Sequence, residues 1–258
     1  MGKYFTVEVK PTITAISQHV GAYTAGDLVF DWTSFQVPRG ANKLISITAI
    51  FRGTDGGTQA ARDMDYYFAK SISGTAPATL GTGNATITAV PAVANHILGM
   101  AHIDGSGDWG NAAFDYFATS QTGSGAAASL IPNFVLEGDP DSGDNVGYDT
   151  LYIGASVGNN SLNFGTTVKA RGAISSGGFS CEVDGASDGD DPNAELKFAP
   201  GDVIHSGTGD VLGTLSAIGA FDSDHQDLVF TTTIADAVAN NEELYNINPM
   251  RIILSFEK

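Results

Sequence analysis

Apolar and polar residues alternate with a period of two along most of this chain, the pattern of strands that bury one face. In "YFTVEVK", Phe5, Val7 and Val9 share one side while Thr6, Glu8 and Lys10 share the other. "RIILSFEK", at the far end, sets Ile252, Leu254 and Phe256 against Arg251, Ser255 and Glu257. These two terminal runs look matched for pairing in one sheet. A third run, "SLNFGTTVKARG" (161–172), opposes Leu162, Phe164 and Val168 to Asn163, Thr167, Lys169 and Arg171. Further strands are expected at 28–37, 43–51, 64–70, 134–138, 150–157, 194–198 and 227–234. Half-polar strands of this kind suit antiparallel sheets with one wet face.

Two stretches read as short helices. "VPAVANHILGMA" (90–101) spaces Val90, Val93, Ile97 and Leu98 helically behind Pro91, although Gly99 and the following "MAHID" leave it open to a strand, and "IADAVANNEEL" (234–244) is the second. Turn chemistry ("VPRGAN", "TDGG", "DGSGD", "DPDSGDN", "SSGG", "HSGTGD") separates the strands. The class expected is mainly β: an antiparallel β-sandwich, jelly-roll-like, with long acidic Gly/Asp loops and one or two short helices at most. Residues 1–258 fit a single sandwich domain. "TSQTGSGAAAS" (119–129) is the one place where a division is expected, and the matched termini favour reading it as a loop.

Charge changes this picture. The chain carries a net −17, distributed unevenly. Residues 1–70 hold seven Lys/Arg against six Asp/Glu, so the remaining residues carry −18, and no Lys or Arg occurs from Ser71 through Val168. Such a surface repels phosphate backbones and anionic headgroups, which excludes nucleic acid and membrane as direct partners. No apolar run approaches the roughly 18 residues of a spanning helix. The beginning of the chain reads as a strand rather than a secretory signal. The single cysteine, Cys181, rules out an intrachain disulfide and is expected to be a small core residue.

Candidate chemistry is sparse. "DGASDGDDPNAE" (184–195) gathers Asp184, Asp188, Asp190, Asp191 and Glu195. Counted as a calcium-binding helix-loop-helix loop, Asp184, Asp188, Gly189 and Glu195 fit, but Ala186 and Pro192 fall where side-chain ligands belong. A solvated loop is the expectation. "EGDPDSGDNVGYD" (137–149) offers Asp139, Asp141 and Asp144 in a poorer pattern. "GASVG" (154–158) matches a nucleophile elbow with Ser156 as nucleophile, yet the residues that follow alternate and cannot open the required helix. His19, His96, His102, His205 and His225 show no metal-ligand spacing, and packed neutral imidazoles are expected at His96 and His102. "GTGDVLG" (207–213) lacks the lysine of a phosphate loop. Trp32 is expected in the core and Trp109 in a turn, tucked onto its own sheet. No catalytic, cofactor-binding or metal residue is assigned, and no cofactor is expected.

At "AGDLVFDWTSFQVPRGANKLISITAIFRGTDGG", continuing to "DMDYYFAKSISGTAPATLGTGNAT", the chain resembles structural proteins of tailed phages that infect marine bacteria, cyanophages especially. It is most similar to their capsid-exterior decoration or knob proteins. The resemblance covers about residues 25–88 and lies in the style of strands and loops, so it carries over no functional residue. It implies a non-enzymatic virion component, made in the host cytoplasm and placed on the head exterior. The partners it implies are the shell protein, sister subunits in a homo-oligomer, or both. A tail-associated receptor-binding or lectin-like protein is the alternative, with acidic loops holding Ca²⁺ and Trp109 meeting a sugar. A hydrolase on a β-sandwich is the third class. The near-neutral first 70 residues, with Arg39, Lys43, Arg52 and Arg62, are expected to face the shell or the oligomer axis.

Overall fold

A computed structural model describes residues 3–19, 21–52, 63–104, 109–111, 115–119, 132–139, 147–158, 162–164, 167–185, 193–222 and 224–258. In chain order its strands are β1 (Tyr4–Val9), β2 (Leu28–Pro38), β3 (Asn42–Arg52), β4 (Met64–Lys70), β5 (Ile97–Ile103), β6 (Trp109–Asn111), β7 (Asp115–Thr119) and β8 (Phe134–Leu136). They continue with β9 (Tyr148–Val157), β10 (Val168–Lys169), β11 (Ser180–Asp184), β12 (Val203–Ser206), β13 (Val211–Ile218), β14 (His225–Phe230), β15 (Glu243–Asn246) and β16 (Met250–Glu257). Two helical turns, α1 (Ala15–His19) and α2 (Ala194–Lys197), complete the set with a 3-10 turn at Pro91–Asn95. None of these helices is long and apolar enough to cross a membrane.

The terminal runs pair as their alternation indicated. β1 lies antiparallel to β16 from Tyr4↔Glu257 to Val9↔Ile252, and β16 also pairs β3. The first sheet runs β1-β16-β3-β7-β6, with β8 on the far end of β3, and a second sheet runs β2-β9-β4-β5. Together they make an antiparallel sandwich. Its core takes Leu44, Ile47, Phe51, Ile252, Leu254 and Phe256 from one sheet and Val37, Met64, Phe68, Leu151, Ile153 and Val157 from the other, all fully buried or nearly so. Each such side chain contributes about 1.5–3 kcal/mol of burial. Phe35 stacks on Phe256 across the sandwich at 6.4 Å between centroids, and Phe68 meets Phe134 edge-on at 5.7 Å.

Residues 168–246 build a second core between β9 and β16. Their strands follow the order β10-β15-β12-β13-β14-β11, and Ala170, just past β10, bridges Val183 of β11. The ring thus closes into a small antiparallel barrel, which removes free sheet edges. Val168, Val183, Ile204, Leu212, Leu228 and Leu244 fill it, fully buried. Val168 and Leu244 are register partners, so the barrel leaves and rejoins the sandwich at one place. The expected division at 119–129 falls almost wholly outside the described residues; Phe164 belongs to the sandwich core and Val168 to the barrel core.

Buried polar groups tie barrel to sandwich. Gln18 on α1 donates from Nε2 to the carbonyls of Ile13 (2.8 Å) and Asn246 (2.9 Å). Ile13 N–H donates to Ile247 O at 2.8 Å, and Lys197 Nζ on α2 donates to Phe164 O at 2.6 Å. Gln18 and Lys197 are both buried. A buried amine or amide is costly unless bonded, so these contacts fix one relative position of the two cores.

Several local expectations change. Residues 194–198 form the turn α2 rather than a strand, because Ala194 N–H is held by Gln226 Oε1 (2.7 Å) while Lys197 reaches back to Phe164. Residues 234–242 are not helical: Ile234 and Val238 are buried, but Val238 exchanges two bonds with Ile174 as an extended bridge across the barrel end. At 90–101 Pro91 opens only a 3-10 turn before β5 begins at Ile97. In 161–172 the described strand shrinks to β10, and Thr167 turns inward to donate to Leu244 O.

Candidate docking surface

The outer face of the first sheet follows from register. In successive rows, Glu257 lies between Tyr4 and Lys43, Ser255 between Thr6 and Ser46, Ile253 between Glu8 and Thr48, and Arg251 beside Ile50. Their neighbours along each strand are core residues, so alternation points these side chains away from the sandwich. Val135 of β8, opposite Lys43, is exposed, as is Tyr4. Among the described side chains the face is small, hydroxylic and apolar, with few charges: Lys10, Lys43 and Arg251 against Glu8 and Glu257.

Those charges are largely spent on one another. Arg251 grips Glu8 through Nε–Oε1 (2.9 Å) and Nη2–Oε2 (3.1 Å), and Lys10 Nζ stands 3.5 Å from Glu8 Oε1. Tyr4 OH donates to Glu257 Oε1 at 3.3 Å. Exposed pairs contribute under about 1 kcal/mol each. Their effect here is neutrality rather than stability. Where the barrel abuts the face, a cleft of about 330 Å³ is lined by Lys10, Ile50, Asp202, Asn248 and Arg251.

The barrel is electrostatically opposite. Residues 165–247 hold fourteen Asp/Glu and three Lys/Arg, a net −11 of the chain's −17. At its seam, Arg171 forms a bidentate pair with Asp224 (2.5 and 2.6 Å), and His225 Nδ1 lies 3.0 Å from Asp224 Oδ1. The hydrogen bond to Asp224 raises the His225 pKa, and the Arg171 bond lowers that of Asp224. Glu182 and Asp227 are directly opposed on β11 and β14, an unfavourable pairing of like charges.

Of the basic residues expected to dock, Lys43 lies on the outer face. Arg39 sits in the β2–β3 turn, its Nε 3.4 Å from the buried carboxylate of Asp149. Arg52 ends β3, with its side chain outside the described residues, as is Arg62 entirely. Alternation in the C-terminal run puts Arg251 on the polar side, but neither it nor Ile253 and Tyr4 was expected to dock.

The other candidates resolve into structure. Ser156 lies within β9, buried, its hydroxyl 2.9 Å from that of Tyr67, so no strand-to-helix elbow forms. The glycines of that motif serve packing: a Cβ on Gly154 would lie 2.7 Å from Leu80 Cδ1, and one on Gly158 would lie 2.8 Å from Asp63 Cβ. His102 is exposed rather than packed, and its Nδ1 lies 2.7 Å from Asp65 Oδ1. His96 Nδ1 contacts Lys70 O at 2.8 Å. Trp32 is half-buried, packed against the small Leu28–Leu80–Val93 cluster, and donates to Ala78 O. Trp109 begins β6 rather than standing in a turn. Cys181 is buried in the barrel, and desolvation pushes its thiol up to about 12.

Several acidic side chains clip loops. Asp149 accepts from Gly40 N–H (3.0 Å), Asp139 from Gly74 N–H (3.1 Å), Asp27 from Thr24 N–H (2.7 Å) and Asp31 from Leu80 N–H (2.9 Å). In the 184–195 loop, Asp184 is buried and Glu195 accepts from Gln226; Asp188, Asp190 and Asp191 lie outside the described residues, as do Asp141 and Asp144. Among the described residues no three His, Cys, Asp or Glu side chains gather to hold a metal ion. Compared with protein-family models, curated proteins and solved structures, the chain matches none.

Proposed function

We propose that this protein is a non-enzymatic virion structural protein, a capsid-exterior decoration protein of a tailed phage, attached through the outer face of its first sheet. The observation that carries the reading is the near-neutral sheet face on a chain of net −17. Approach of an acidic surface to the barrel, which carries −11, meets repulsion, while this face offers hydroxyls, Ile50, Ile253 and Val135 with paired charges. The resemblance of residues 25–88 to phage head proteins supports the same reading. The barrel, with most of the negative charge, faces solvent.

Occupancy on purified particles tests it. Lys43→Glu with Arg251→Glu makes the face acidic, shifting its charge by −4, and lowers occupancy. Neutralising four barrel carboxylates, Asp210, Asp222, Asp236 and Glu243, leaves occupancy unchanged at the same salt. Loss of the barrel variant with retention of the sheet variant would refute the orientation.

A further inference from the structure

The first sheet has an open edge at β1, and the strand's own hydrogen bonds show which groups it presents. Lys3 N–H donates to Lys258 O (3.3 Å) and Lys258 N–H to Lys3 O (2.9 Å), so these residues form a hydrogen-bonded pair with β16. Antiparallel pairs alternate. Phe5, Val7 and Val9 therefore spend their backbone groups on β16, while the N–H and C=O of Tyr4, Thr6 and Glu8 project from the other side. Among the described residues β1 pairs with β16 alone. The edge ends at Lys10, whose carbonyl accepts from Asn248 Nδ2 at 3.3 Å. Tyr4 is 70% exposed beside it, and Phe5 and Val7 are only half-buried.

We propose that this edge pairs with β1 of a second copy of the chain, antiparallel across a twofold axis at Thr6. That register uses all three outward residues: Tyr4 pairs with Glu8 of the second copy, Thr6 with its counterpart, and Glu8 with Tyr4. It opposes no like charges. Each Glu8 meets a tyrosine, and a Thr–Thr pair occupies the centre. On the core side, Phe5 of each copy covers Val7 of the other, closing the half-buried end of both sandwiches. The two first sheets become one continuous sheet, and both outer faces point the same way. The axis lies far in sequence from the acidic barrel strands, whose net −11 still repels at long range, so added salt strengthens the dimer. This pairing stands independently of any virion role.

The test is made on the purified chain without particles. Sedimentation gives a dimer for the wild type, tighter at higher salt. Thr6→Pro deletes an N–H that points out of the edge, where proline is tolerated, and gives a monomer with an unchanged circular dichroism spectrum. Thr6→Cys places two thiols across an axis where Cα atoms lie about 5.5 Å apart, within disulfide reach. It cross-links on mild oxidation with diamide, Cys181 being buried. Tyr4→Cys places its thiols about 13 Å apart along the strands and does not cross-link. A wild type that is monomeric at its highest soluble concentration overturns the proposal. So does a dimer that survives Thr6→Pro, or equal cross-linking of both cysteine variants. If Thr6→Pro unfolds, cross-linking of Thr6→Cys decides alone.

Discussion

Gln18 is the most informative single residue of the joint between the two cores. Its side chain is 5% exposed, and one amide nitrogen serves two carbonyls on different elements, Ile13 O and Asn246 O. Gln18→Ala removes both bonds and leaves two buried acceptors short of a donor, at about 1–3 kcal/mol each. Each carbonyl has a second lone pair available to other donors, so the expected loss is about 2–4 kcal/mol. At about 2–4 °C per kcal/mol for a chain of this size, the melting temperature falls by roughly 4–16 °C. Gln18→Leu keeps the volume and loses the same bonds, so it destabilises too, by less than the alanine variant. Gln18→Glu puts a carboxylate against two carbonyl oxygens and is the worst of the three. Urea melts would follow the sandwich side by Trp32 fluorescence and the barrel by labelling of Cys181. The joint predicts coincident transitions in the wild type and separated ones in Gln18→Ala. Alanine and leucine variants both within about 0.5 kcal/mol of wild type, the range of ordinary surface changes, would show that these two bonds do not hold the joint.

Three further outcomes follow from the buried and paired groups. Cys181, buried with its thiol raised to about 12, should resist alkylation at pH 8 in the native protein and react at once in denaturant; fast native labelling would mean an open barrel. His225, whose pKa is raised in the folded state, adds stability that is fully present below its unfolded value near 6.5 and is lost as pH rises through the folded value. Asp224→Asn should lower the His225 pKa in an NMR titration, and an unchanged titration would count against the Asp224 contact. Ser156→Ala should cost about 1 kcal/mol for the lost Tyr67 bond, read by chemical denaturation.

Strand positions were legible where alternation was strict and the buried face continuous. The run at 64–70 became β4 with the same bounds, and the matched terminal runs became β1 and β16, side by side. The barrel was not legible, because its strands have the same composition and period as the sandwich strands. Its closure depends on one bridge between Ala170 and Val183, which no local pattern marks. Residues 234–244 misled because Ile234 and Val238 stand four apart, a helical spacing that an extended bridge to Ile174 satisfies equally well. Asp149 and Asp139 looked like solvated loop acids since a turn aspartate reads the same whether it faces water or a backbone N–H. The docking face was half legible. Lys43 was named, but Arg251, opposite Ile50 at the other end of the same face, comes from the far end of the chain and joins that face only through the β3–β16 register.

A cryo-electron microscopy reconstruction of intact particles decides whether the outer face of the first sheet is the attachment surface. The prediction is that the sandwich lies against the shell with Lys43, Thr48, Arg251 and Ile253 at the contact, and that the acidic barrel projects into solvent. A reconstruction with the barrel against the shell and that sheet face exposed would contradict it, as would particles that carry no copy of the protein.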